Sequence, residues 1–110
     1  MLMPTTEWIA PTEFPDLRKA NEIAIDLETR DPDLKKLGSG AIIGNGEVIG
    51  IAVAVDGYKN YFPIAHGEGP NMDRDKVLRW FKDVCESPAT KIFHNAMYDV
   101  CWIRNLGIKI

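Results

Sequence analysis

A basic excess is missing from this chain. Its 13 Lys and Arg stand against 16 Asp and Glu, a net charge of −3 over 110 residues. A stand-alone nucleic-acid binder draws much of its affinity from cationic side chains on phosphates. Either nucleic acid is not the ligand, or divalent cations and a larger partner region supply the positive charge. Cysteine is scarce as well: Cys85 and Cys101 form no Cys-x-x-Cys pair and adjoin no metal-type cluster. That excludes a disulfide scaffold and reads as two buried free thiols in a reducing cytoplasm. No apolar run reaches the length of a membrane span, and the N-terminus lacks a signal-peptide core. The expectation is a soluble cytoplasmic protein with no membrane partner. Internal repeats and low-complexity tracts are absent too, and 110 residues suit one small domain.

Hydrophobic residues make up 45% of the chain, enough for a real core. Residues 1–21 carry Pro4, Pro11 and Pro15, which predict an extended lead-in anchored by Trp8 and Phe14, with a short helical turn over 16–21. Residues 22–29 alternate. Ile23, Ile25 and Leu27 face one way and Ala24, Asp26 and Glu28 the other, which predicts a strand with carboxylates on one face. The stretch 30–46 is polar and Gly-rich and reads as a loop. Residues 48–55 form a β-branched strand, Asp56-Gly57 a hairpin turn, and 58–64 the returning strand, with Pro63 at a sheet edge. An amphipathic helix follows over 73–86, with core positions Val77, Trp80, Phe81 and Val84 and a cap from Asn71 or Asp73. A short strand over 91–94 leads into a helix over 95–106, stopped by Gly107; residues 108–110 could begin another strand. The order predicts an α/β layer on a mixed sheet. No Gly-rich phosphate turn follows the first strand, so a doubly wound nucleotide fold is excluded.

Chemistry concentrates in two places. Asp26 and Glu28 lie two apart on a strand, so their side chains share a face. Paired carboxylates repel unless a proton or cation lies between them, and oxygen donors of this kind suit Mg²⁺ or Mn²⁺. Alone, the pair equally describes a solvated strand face. Asn95 and Asp99 lie four apart at the opening of the last helix. Alone, they equally describe an N-cap and a favourable first-turn acid. Lys35 and Lys36 read as a solvated pair able to touch phosphate, His66 as a surface residue, and Trp102 as packing.

The two clusters occur together, within Ile-Ala-Ile-Asp-Leu-Glu-Thr-Arg-Asp-Pro, Gly-Ile-Ala-Val-Ala, Tyr-Phe-Pro-Ile-Ala-His and Phe-His-Asn-Ala-Met-Tyr-Asp-Val-Cys-Trp-Ile. From about Trp8 to Ile108 this resembles the 3′-5′ proofreading exonuclease domains of phage-type family A DNA polymerases, in the ribonuclease H-like superfamily of DEDD exonucleases. The resemblance implies a partial exonuclease domain over 22–110 behind the lead-in. It implies that Asp26, Glu28 and Asp99 are catalytic and hold two divalent metal ions, Mg²⁺ or Mn²⁺. Asp26 would bridge both ions, Glu28 would bind one and Asp99 the other. Thr29, Asn95 and Tyr98 would contact the terminal nucleotide or the substrate strand. The implied reaction is two-metal hydrolysis of the terminal phosphodiester of a single-stranded or frayed DNA 3′ end, releasing nucleoside monophosphates. One cation activates the attacking water and the other stabilises the leaving 3′ oxygen, with the two roughly 3.5–4 Å apart. A polymerase domain in the same full-length polypeptide is the implied partner, in a bacterium or phage-infected host.

That family carries a third motif, Tyr-x-x-x-Asp or His-x-x-x-x-Asp, downstream of the second. His94 and Asp99 spell the latter, but Asp99 already serves the second motif, so His94 is expected only to close its strand. The third motif does not occur up to Ile110. The expectation is a fold without a last strand and helix, weak metal binding, little activity in isolation, and self-association through uncovered surface. Two rivals share the fold: an RNA-directed exonuclease, which 2′-hydroxyl contacts would distinguish, and a non-catalytic ribonuclease H-like interaction domain.

Overall fold

A computed structural model describes residues 10–110. The expected anchor Trp8 lies outside them. Phe14 does anchor the lead-in, stacking between Trp80 (centroids 5.5 Å apart) and Phe62 (6.0 Å), while the Trp80 indole N–H donates to the Pro15 carbonyl at 2.8 Å. The expected helical turn is a single turn closed by Ala20 N–H on the Leu17 carbonyl, at 3.1 Å.

Strand β1 (Glu22–Arg30) keeps its alternation: Ile23, Ile25 and Leu27 are buried, while Glu22, Ala24, Asp26 and Glu28 are exposed. The stretch expected to be a plain loop instead carries two four-residue helices, α1 (Leu34–Leu37) and α2 (Gly40–Ile43). Helices this short do not form on propensity alone. Polar contacts hold them: the Asp31 carboxylate accepts from Gly40 N–H (3.1 Å to each oxygen), and the Asn45 amide donates to Asp33 at 2.8 Å.

Strand β2 (Glu47–Val55) turns through Asp56-Gly57, with Gly57 at φ 80°, into β3 (Tyr58–Pro63). The positive φ is what a tight hairpin asks of its glycine. Helix α3 (Arg74–Glu86) starts on Asp73, whose side chain accepts from Lys76 N–H at 3.1 Å. Asn71, the alternative cap, instead clamps the His66 backbone through two hydrogen bonds. Strand β4 (Thr90–Phe93) leads to α4 (Ala96–Asn105), and Gly107 follows at φ 83°. Residues 108–110 form no strand, although Ile108 is buried.

The sheet order is β3-β2-β1-β4, with β1 antiparallel to β2 and parallel to β4. Pro63 sits at the end of the edge strand β3, where a missing N–H does no harm. The inner faces of β1, β2 and β3 share one core with Val77, Phe81 and Val84 of α3 and with Trp102 and Ile103 of α4. Cys85 joins that core, and burial pushes its thiol up to about 12; Cys101 is only half-buried, and both are free thiols. This mixed sheet with flanking helices is an α/β fold of the ribonuclease H-like kind.

Candidate functional site

Strand pairing sets the stage for the site. The parallel ladder between β1 and β4 ends at Ile25 opposite Phe93. Asp26, Glu28 and Thr29 therefore run on past the end of β4, at the level where the chain turns through His94 and Asn95 into α4. On its other side β1 continues against β2, and the register slips between Glu28 and Thr29. The bulge leaves Ile49 unpaired, and its carbonyl is taken by the N–H groups of Ile64 and Ala65 at 2.9 and 3.1 Å. Bulges of this kind bend a strand locally and re-aim its side chains.

Asp99 sits in the first turn of α4 and is only 4% exposed. Its pKa is pushed up to about 6, first by burial and then by the negative charge of Asp26, with His94 pulling the other way. Two acids far apart in sequence are thus close enough to oppose each other's ionisation. A favourable acid in an exposed first turn would show neither burial nor a raised pKa. Asn95 occupies the N-cap position, but its side chain makes no capping hydrogen bond; its backbone carbonyl accepts from Asp99 N–H at 3.0 Å.

Thr29 and Tyr98 meet directly, Oγ1 to hydroxyl, at 2.9 Å. Tyr98 donates its hydroxyl proton to Asp31 Oδ2 at 2.8 Å. A phenol has one proton to give, so Thr29 must donate to Tyr98. Burial raises the Tyr98 pKa, the Thr29 bond opposes that, and Asp31 adds to it. Trp102 packs edge-on against Tyr98, with centroids 6.4 Å apart. Asp31 is the organising residue that sequence reasoning missed: one carboxylate fixes both the Tyr98 hydroxyl and the start of α2. Its only signal was an acid placed ahead of a Gly-rich stretch full of backbone donors.

Glu28 shares the exposed face with Asp26, as alternation requires, and lies beside Tyr61. Burial, then the Glu28 charge, pushes the Tyr61 phenol up to about 12. Tyr61 also forms a short hydrogen bond with His66 Nε2, so His66 is more than a surface residue. The Tyr61 ring lies over Gly50, where a Cβ would fall 1.7 Å from the phenolic oxygen. Asp26 and His94 line an open groove of about 890 Å³ on this face, floored by Ala24, Ala52 and Ala54.

Asp26, Glu28 and Asp99 are oxygen donors of the type that hard divalent cations take, and the opposition between Asp26 and Asp99 is what a cation would relieve. The fit stops at that pair: among the described residues, no three His, Cys, Asp or Glu side chains gather in a group able to hold a metal ion.

Fold and site together define an α/β, ribonuclease H-like protein with an acidic pair beside a Thr-Tyr-Asp hydrogen-bond chain. No family model matches the sequence. Similar proteins include a DNA-directed DNA polymerase of Pseudomonas phage M6, 42% identical over 115 residues, covering 96% of this chain and 17% of the polymerase. DNA polymerase I of Pseudomonas aeruginosa PAO1 is 33% identical over 99 residues, covering 86% of this chain and 10% of the polymerase. The chain is therefore related to a region of DNA polymerases and spans a small part of their length. No helix among the described residues is long and apolar enough to cross a membrane.

Proposed function

We propose that this chain is the metal-binding portion of a 3′-5′ proofreading exonuclease module, acting on single-stranded or frayed DNA 3′ ends within a larger polymerase polypeptide. The observation that carries the reading is the buried Asp99 carboxyl opposed by Asp26. Two acids held near one another at the end of a sheet are unfavourable for folding alone and useful for holding cations. In this reading Asp26, Glu28 and Asp99 hold two Mg²⁺ or Mn²⁺ ions. The ions supply Lewis-acid stabilisation of charge on the phosphodiester. Thr29 and Tyr98, locked by Asp31, present a fixed hydroxyl pair to the terminal nucleotide. Asn95 adds an amide at the mouth of α4, free of capping duty.

The similarity to two DNA polymerases supports a DNA substrate over an RNA one. The lack of a gathered three-donor group favours the non-catalytic reading for the chain by itself. Calorimetric titration of Mn²⁺ into the protein and into Asp26→Ala, beside trimming of a 5′-labelled oligonucleotide, separates the two. Saturable binding and 3′ trimming that both vanish in the variant are expected. Equal heats in the two proteins and an untouched oligonucleotide would overturn the exonuclease reading.

A further inference from the structure

Helix α1 buries none of its side chains, and α2 buries only Gly40. Leu37 is 63% exposed and Ile42 74%, with Leu34 and Ile43 exposed beside them. A helix ordinarily forms in a folded protein by burying an apolar face. This pair is instead pinned by polar contacts and turns its apolar side chains outward. The pins also settle the local charge. The Asp31 carboxylate is occupied by Gly40 N–H and the Tyr98 hydroxyl, and Asp33 by Asn45. Lys35 and Lys36, both exposed, are left as the outward charges of α1 in a chain that is acidic overall. The same Asp31 joins this surface to Thr29 and Tyr98, since α1 begins with Leu34 N–H on the Asp31 carbonyl at 3.3 Å.

We infer that α1 and α2 form a docking platform for unpaired single-stranded DNA leading to the Thr29–Tyr98 pair. Lys35 and Lys36 meet its phosphates, and Leu34 and Leu37 carry base faces. Apolar surface flanked by cations suits unpaired bases on a phosphate backbone and gives little sequence preference. This deepens the exonuclease reading and rests on it.

The test is fluorescence anisotropy of a 5′-labelled thymidine dodecamer in EDTA, where binding is read without cleavage. Lys35→Glu/Lys36→Glu should weaken binding about tenfold or more and lower the slope of log affinity against log salt by about 1.4, at roughly 0.7 for each phosphate no longer neutralised. Leu34→Ser/Leu37→Ser should weaken binding severalfold with the slope unchanged. An equal charge change on the opposite side of the sheet, Lys76→Glu/Arg79→Glu on α3, should leave affinity within about twofold if direct contact rather than net charge decides. Matching thermal melts confirm that these exposed substitutions keep the fold. Parent-like binding by both platform variants, or an equally weakened α3 control, overturns the platform and leaves the surface to a protein partner. Absence of binding by the parent overturns it too. Mn²⁺-dependent trimming of the same oligonucleotide is scored separately: trimming that persists in platform variants of unchanged affinity sinks the platform and spares the exonuclease reading.

Discussion

Asp99 is the one buried charged side chain among the described residues, and its position has a thermodynamic consequence. Its folded pKa of about 6 lies above the ordinary 3.8, so the folded state favours the neutral acid. Stability is therefore undiminished below about pH 4, falls as the pH rises toward 6, and stays lowered above it. The gap corresponds to a cost on the order of 3 kcal/mol. Asp99→Asn should recover part of it, raising the urea midpoint at pH 8 in EDTA and leaving it unchanged at pH 4. Mn²⁺ should then stabilise the parent more than the variant. A variant no more stable than the parent at pH 8 would mean that Asp99 does not carry a buried, opposed charge. Cys85 behaves similarly for the same reason: a thiol pushed to about 12 by burial should resist alkylation at pH 8 until the protein unfolds, with labelling followed by mass spectrometry.

At the scale of elements, the α1–α2 segment hangs on a single close approach. A Cβ on Gly40 would fall 1.8 Å from the Asn45 carbonyl oxygen and 2.7 Å from Asp31 Oδ1. Gly40→Ala must displace backbone, so a destabilisation of about 1–3 kcal/mol is expected in denaturant titrations. The Tyr98 hydroxyl should also exchange faster by NMR once Asp31 moves; an unchanged protein would show that the segment is not pinned there. This segment marks where the sequence stopped being legible. Strands β1 and β2 and helix α3 announced themselves through periods of two and 3.6, because each buries one face. Helices α1 and α2 bury almost nothing and are held by Asp31 and Asp33, so hydropathy contains no trace of them. The site divides the same way. That Asp26 and Glu28 share a face follows from alternation, whereas the turn of Glu28 toward Tyr61 and of Asp26 toward Asp99 depends on strand register.

For the molecule as a whole, the controlling fact is that β1 lies between its nearest successor in the sheet and a strand from the far end of the chain. Ile23 and Ile25 pair with Lys91 and Phe93, so the core closes only when β4 returns. Contacts this distant form together or not at all, which predicts one unfolding transition with tryptophan fluorescence and far-ultraviolet circular dichroism coinciding. Ile23→Ala, at a fully buried position, should cost about 2–5 kcal/mol without separating the two probes. The same topology leaves β4 as an edge strand, with Ile92 44% exposed on the open face. An uncovered edge beside apolar surface favours pairing with another chain. Sedimentation velocity should therefore show an average mass that rises with concentration, and Ile92→Lys should suppress the rise by placing a charge on that strand. A parent that sediments as a monomer at every concentration would show that the edge is protected in solution, and self-association would then have to be abandoned.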